Sequence, residues 1–458
     1  MFKKYFALIL SMSLMLVTEV YGQIPSFQDN DRICFIGSSI AMNGGNYHYI
    51  NLFYATRYPD RNITFLNCGI SGDWTDNILA RIHSDIFVVK PTWAVLMLEE
   101  NDLRPSLYMK DRQNEAGIQE KKQERIESWC RNADSIVRLL MQAKVKVILQ
   151  TPTIYDQTGQ LPSENAYGVN DALKKCVEFL KQLSGKYQLP LVDCWTVMNE
   201  DNRIIQKKDP TKSIIGNDRV HVSKLGFFVM AHTFLNNQDI EKKVSYVKIN
   251  VKKNSTLLAE NCIISNLQAG TNDVSFEYLS RSLPFPSPDG LNPDSLHPFT
   301  SELNKEVLQI KGLKRGNYNL LIDSSFIGTY SNKDLSKGIN LSLNTATPQS
   351  KQSQKVLDQF YEYWKTERQL RLLKYVEYQH FEGATVMVAD MDLVKAKFDS
   401  ILNENKTSEN YNFFKKVFAE YLSDKVNEKD MEQKHAALFQ SIYKLNKPVK
   451  YFIRINKK

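Results

Sequence analysis

Between Asp31 and about Asn237 the chain alternates short, almost continuously apolar runs with longer amphipathic ones, and no other feature restricts its possible folds so much. The short runs are Ile33 to Ile36, Ile63 to Leu66, Trp93 to Leu98, Val145 to Leu149 and Leu191 to Cys194. A strand with one face in water alternates apolar and polar residues. A strand apolar at nearly every position is covered on both faces, as parallel strands joined by helical crossovers are. The runs therefore predict a doubly wound, flavodoxin-like α/β domain built on a five-stranded parallel sheet. Helices are predicted over 46–57, where Tyr49, Leu52, Phe53 and Ala55 precede the stop at Pro59, and over 73–86, 117–143, 163–185 and 223–235.

At 458 residues the chain exceeds one ordinary core, and its character changes after about residue 240. A β-rich domain is expected over 241–349: β-branched and aromatic residues fill 246–252, 306–311 and 318–330, punctuated by Gly312, Gly316 and Gly328 and interrupted by a Pro-rich loop from Pro284 to Pro293. A helical extension is expected over 350–445, with Leu357, Phe360, Tyr361 and Trp364 on one face. In the tail, 446–458, Val449, Tyr451, Ile453 and Ile455 recur at every second position and predict a closing strand. At the other end Lys3 and Lys4 precede a mostly apolar stretch from Tyr5 to Val17 and a small residue at Gly22. This predicts a cleaved signal peptide over 1–22, a first domain over 23–240 and a secreted or periplasmic location; the alternative is an uncleaved anchor. No later run approaches the ~18 apolar residues of a spanning helix.

Composition excludes several functions. The net charge of +8 is spread over basic residues scattered among nearly as many acids, without the clustered Arg and Lys face of a nucleic-acid binder. Six cysteines suit an oxidising compartment, but their wide spacing is no disulfide framework, and Cys34, Cys68 and Cys194 read as small buried hydrophobes within or near strands. No Cys/His cluster has zinc-ligand spacing, so neither metal nor cofactor is expected.

In an open parallel sheet, ligands sit outside the carboxyl ends of the strands. After the first strand comes Gly37-Ser38-Ser39; after the second, Asn67 to Asp73 with Gly72; after the third, Glu99-Glu100-Asn101-Asp102; after the fifth and a long loop, Asp218-Arg219-Val220-His221. These stretches, in this order, resemble the sequence blocks of the SGNH (GDSL-like) hydrolases, Gly-Asp-Ser, Gly-x-Ser-Gly, Gly-x-Asn-Asp and Asp-x-x-His, over roughly residues 31–237. The resemblance implies Ser39 as nucleophile, His221 as base, Asp218 as its orienting acid, and Ser39, Gly72 and Asn101 as the oxyanion hole. The chemistry suits those residue types. A serine hydroxyl needs an imidazole to take its proton, a carboxylate fixes the imidazole tautomer, and the tetrahedral intermediate needs donors aimed at its oxyanion.

The chain departs from the family pattern at two points that matter, and more mildly at Val222, where many members have proline after the histidine. Ser38 replaces an aspartate that usually braces the loop, and Glu99 stands where glycine is usual. A carboxylate beside Asn101 would set an unfavourable field near a developing negative charge, unless its side chain points away. Two functions follow. The first is a secreted serine esterase hydrolysing an acyl group, acetyl by preference, from a carbohydrate; the second is a catalytically weakened glycan-binding protein of the same fold. The other histidines (His48, His83, His232, His297, His380 and His435) have no catalytic context and read as structural or surface. Tyr361, Trp364, Tyr375 and Tyr378 could stack on sugar rings, although aromatics at helical spacing more often form core. The oligomeric state is not specified.

Overall fold

The computed structural model describes residues 23–458 except 289, 384, 385, 387–389 and 409; residues 1–22, expected to be a signal peptide, lie outside the described residues. Five strands form one parallel sheet: β1 (Arg32–Gly37), β2 (Thr64–Gly69), β3 (Trp93–Met97), β4 (Lys146–Gln150) and β5 (Leu191–Val192), in the order β2-β1-β3-β4-β5. β1 shows why the runs are apolar throughout. Ile33 and Phe35 enter a core shared with α2 (Gly45–Arg57) and α7 (Lys224–Asn236), while Cys34 and Ile36 enter a second core shared with α4 (Ile118–Gln142) and α5 (Val169–Tyr187). Both faces are covered, as expected of a doubly wound sheet. The short α1 (Ser39–Asn43) follows β1 directly, and α3 (Thr75–Arg81) follows the loop after β2. The chain starts in the middle of the sheet, adds β2 on one side and then β3 on the other. The winding therefore reverses at β1, opening a crevice beyond the carboxyl ends of β1 and β3.

Two expectations are corrected here. The fifth strand ends at Val192 rather than Cys194, because the Asp193 carboxylate accepts the Thr196 N–H at 3.0 Å and caps a helix not anticipated from sequence, α6 (Cys194–Lys208). Cys34 and Cys68, expected as separate buried hydrophobes, are joined in a disulfide. Register explains the pairing: β1 sets Cys34 opposite Leu66 and Ile36 opposite Cys68, which leaves the two cysteines on one face with Cα atoms 5.9 Å apart. Cys194 is a buried free thiol.

Beyond the parallel sheet, nine strands form two further sheets around one core. These are β6 (Lys243–Asn250), β7 (Ser255–Glu260), β8 (Cys262–Ala269), β9 (Asp273–Ser280), β10 (Lys305–Lys311), β11 (Asn317–Ile322), β12 (Ser325–Ser331), β13 (Ile339–Asn340) and the tail strand β14 (Tyr451–Lys457). The sheet orders are β13-β10-β6-β7 and β8-β9-β14-β11-β12, and Val247, Ile249 and Ile310 of the first sheet meet Phe276, Tyr318, Leu320, Ile453 and Ile455 of the second. The alternating tail is thus a central strand, antiparallel to both β9 and β11.

Between β13 and β14 the described residues build four α-helices, α8 (Pro348–His380), α9 (Met391–Glu404), α10 (Tyr411–Lys425) and α11 (Glu428–Leu445). The 33 residues of α8 span about 50 Å at the helical rise. Its first half buries Val356, Leu357, Phe360, Tyr363 and Trp364 against α2 of the α/β unit. Its second half buries Leu373, Tyr375 and Val376 with Phe398, Phe418 and Tyr421 in a separate core, and that core also takes in Ile70 from the loop after β2. No helix among the described residues is long and apolar enough to cross a membrane.

Candidate active site

Ser39 is the first residue of α1, directly beyond the end of β1, and its surroundings hold it closely. Gly37 lies against β3 so tightly that an added Cβ would stand 2.4 Å from the Met97 carbonyl oxygen, and Gly69 lies against the peptide of Ser38, where a Cβ would stand 2.8 Å from its oxygen. The Met42 N–H closes the first turn on the Ser38 carbonyl at 2.9 Å. The turn therefore leaves the sheet at one defined angle.

The structure brings Ser39, His221 and Asp218 into one hydrogen-bonded line. Ser39 Oγ lies 3.0 Å from His221 Nε2, and His221 Nδ1 lies 2.7 Å from Asp218 Oδ2. The other Asp218 oxygen accepts the backbone N–H groups of Val220 at 3.0 Å and His221 at 2.9 Å. Burial alone would raise the Asp218 carboxyl, but the hydrogen bonds from the His221 ring and from these two N–H groups outweigh it and hold the acid below the usual range. Arg219, between the two, has a φ of +69°, and its buried guanidinium donates to the carbonyls of Asp156, Gly159, Leu161 and Ser163 at 2.9–3.1 Å. The Asp218–His221 turn is thus fastened to the loop after β4.

Gly72 and Asn101 lie on the loops after β2 and β3. Gly72 has a φ of +80°, a left-handed conformation that side chains rarely take, and a Cβ there would meet only Gln379 Nε2, at 4.0 Å. Asn101 Nδ2 donates to the Asp73 carbonyl at 3.0 Å, which ties the two loops together and leaves its second amide hydrogen available.

The C-terminal helices reach this site. Arg371 on α8 donates through Nε to the Gly69 carbonyl at 2.7 Å, and through its two terminal nitrogens to Asp85 at 2.9 and 2.7 Å. Arg81 completes the cluster, pairing with Asp73 at 2.6 Å and Asp85 at 2.5 Å and donating to the Cys68 carbonyl at 2.9 Å. Gln379 donates to the Ser71 carbonyl at 3.1 Å. Together with buried Ile70, these contacts hold the Gly69–Asp73 loop from the side away from the sheet. Arg371 and Gln379 lie some 300 residues from the atoms they hold, and only the fold shows the relation.

The two departures resolve differently from the expectation of an unfavourable field. Glu99 is 5% exposed and its Oε2 accepts the Ser38 hydroxyl at 2.6 Å. Burial, and then the neighbouring Glu100, push the Glu99 carboxyl well above the usual range, against the opposing bond from Ser38. A carboxyl kept neutral places no negative charge near Asn101. Among the aromatics, Trp364 stacks on His48 at 4.6 Å between ring centroids, Tyr375 is core, and the Tyr378 hydroxyl lies 2.9 Å from Ser84 Oγ. No group of acids, cysteines and histidines fit to hold a metal occurs among the described residues.

Residues 35–227 match the GDSL-like lipase/acylhydrolase family. An acetylxylan esterase of Geobacillus stearothermophilus is 24% identical over 220 residues, covering 45% of this chain and 92% of its own length. The solved structure of a gut microbial diltiazem-metabolizing enzyme is 28% identical, with a TM-score of 0.82, and the likeness covers 95% of this chain and 99% of that one.

Proposed function

Because residues 35–227 match the GDSL-like lipase/acylhydrolase family and the comparisons support a carboxylic ester hydrolase, we propose that Ser39, His221 and Asp218 are its catalytic triad and that it removes acetyl groups from a carbohydrate outside the cytoplasm. The observation that carries the assignment is the unbroken line of hydrogen bonds from the Asp218 carboxylate through the imidazole to the Ser39 hydroxyl.

Ser39 Oγ attacks the ester carbonyl carbon as its proton passes to His221 Nε2, while Asp218 holds Nδ1 and stabilises the imidazolium. The carbonyl oxygen becomes an oxyanion that meets the backbone N–H of Ser39, the N–H of Gly72 and the free amide hydrogen of Asn101. Collapse of the intermediate breaks the bond to the alcohol, which leaves with the proton from His221. Water then attacks the acyl group on Ser39, giving its proton to His221, and the second intermediate releases the carboxylic acid and returns the proton to Ser39.

The acetylxylan esterase likeness supports an acetylated carbohydrate as substrate, and the basic-then-apolar N-terminus supports export. The likeness to the diltiazem-metabolizing enzyme makes diltiazem a second substrate to assay. The neutral, internally bonded Glu99 removes the main reason for a purely binding role.

The test is labelling with a fluorophosphonate, followed by location of the adduct by mass spectrometry. An adduct on Ser39 in the wild type and none in His221→Ala is expected. A folded wild type that stays unlabelled at Ser39 would falsify the triad assignment.

A further inference from the structure

Ser38 and Glu99 are the two points at which the chain leaves the block pattern it otherwise follows, and the fold brings them into contact across the switch point of the sheet. Glu99 sits just past β3 and Ser38 just past β1, and the Ser38 hydroxyl donates to Glu99 Oε2 at 2.6 Å with both side chains buried. The backbone N–H of Ile40, the residue after Ser39, also faces the Glu99 carboxyl. Glu99 thus addresses the residues on both sides of Ser39. Its second oxygen, Oε1, has no hydrogen-bond partner among the described residues, and a buried carboxylate would need several. Burial and the neighbouring Glu100 push this carboxyl toward its uncharged form.

The opposite side of the same peptide is already occupied. Gly69 of β2 lies against the Ser38 carbonyl, so the peptide entering Ser39 is held by β2 on one side and by Glu99 on the other. The substitutions are reciprocal: the carboxyl expected at position 38 stands at position 99, and the small residue expected at 99 stands at 38. We infer that Glu99 is a positioning residue for Ser39, fixing through Ser38 the angle at which the nucleophile meets His221. This rests on the reading of Ser39 as nucleophile. Misplacing a nucleophile by about 1 Å costs about 10²-fold in rate, so a short bond one residue away has a measurable effect.

Aryl acetate hydrolysis, its pH profile and the rate of fluorophosphonate labelling at Ser39 decide the matter in four variants: Glu99→Gln, Glu99→Ala, Glu99→Gly and the double variant Ser38→Asp/Glu99→Gly. The Gln amide oxygen still accepts from Ser38 and carries no proton to titrate, so Glu99→Gln keeps kcat within about threefold and leaves the pH profile unmoved. Glu99→Ala and Glu99→Gly lower kcat and the labelling rate by about 10- to 100-fold with KM within about twofold. Returning a carboxyl to position 38 recovers about tenfold over Glu99→Gly. Labelling of Glu99→Ala at the wild-type rate overturns the inference. So does a Glu99→Gln enzyme as impaired as the alanine variant, since that result assigns Glu99 a proton or charge in turnover. If the alanine and glycine variants fail to fold, Glu99→Gln and the double variant, each compared with the wild type, carry the same decision. A wild type unlabelled at Ser39 refutes the nucleophile assignment instead, whereas a labelled wild type with an indifferent Glu99→Ala refutes the brace alone.

Discussion

Replacing Arg371 by methionine keeps most of the side-chain length and removes the charge, and the structure allows the consequence to be worked out. The guanidinium and the Asp85 carboxylate are each 7% exposed and make two parallel bonds. Breaking a buried pair by removing one partner costs about 3–5 kcal/mol, and Arg81 remains on Asp85, so the lower end applies. The Gly69 carbonyl loses its donor from Arg371, adding about 1 kcal/mol, for a total near 4 kcal/mol. That corresponds to a fall in Tm of roughly 10 °C for a domain of this size. The larger effect is on rate. Without Arg371 the Gly69–Asp73 loop keeps only Gln379 and the packing of Ile70 as its ties to α8, and displacement of the Gly72 N–H from the oxyanion hole lowers kcat as the loss of one donor does, by about 10²- to 10³-fold. The assay is aryl acetate hydrolysis with melting curves, with exposed Arg368→Met as control. Expected is a kcat reduced by about 10²-fold below the melting transition, with KM changed by less than about threefold. If Tm falls and kcat does not, the loop keeps its geometry without the helix and the reasoning is wrong.

Two further outcomes follow from buried groups. Reducing the Cys34–Cys68 disulfide, or replacing both cysteines by serine, removes a cross-link spanning 34 residues, and the chain-entropy argument puts the loss at about 3–4 kcal/mol; melting with and without reductant checks it. Glu306 accepts hydrogen bonds from Tyr278 and Gln349 at 2.9 and 2.8 Å, and burial raises its carboxyl to about 7. A carboxyl raised in the folded state favours folding at low pH. Its contribution declines as pH passes from about 4.5 to about 7, for a total near 3 kcal/mol. Relative to wild type, Glu306→Gln should therefore gain in Tm on going from pH 5 to pH 8, and a constant difference across that range would exclude the titration.

What could be read from sequence follows from what each element buries. The parallel strands were legible because both faces are covered, so composition alone marks them. β7 and β8 were missed because they leave Leu257, Ile263 and their polar neighbours in solvent, and no apolar run results. The serine, histidine and aspartate were legible because each follows a strand or sits in a short fixed block. The Cys34–Cys68 bond needed the β1–β2 register, and the exchange between Ser38 and Glu99 needed two loops 61 residues apart to meet. Arg371 and Gln379 lie on a helix whose sequence signals only that it packs.

The position of β14 governs the order in which the protein can be finished. A chain made from its N-terminus has every strand of the parallel sheet by Val192, yet the middle of the five-stranded sheet is supplied by Tyr451–Lys457. Until Tyr451–Lys457 arrives, β9 and β11 face each other across a missing strand. A chain stopped before Tyr451 would leave the α/β unit intact in sequence while opening two unpaired edges in its neighbour, a ready template for aggregation. Closure of this second sheet therefore waits on Tyr451–Lys457, long after the last strand of the parallel sheet has been made.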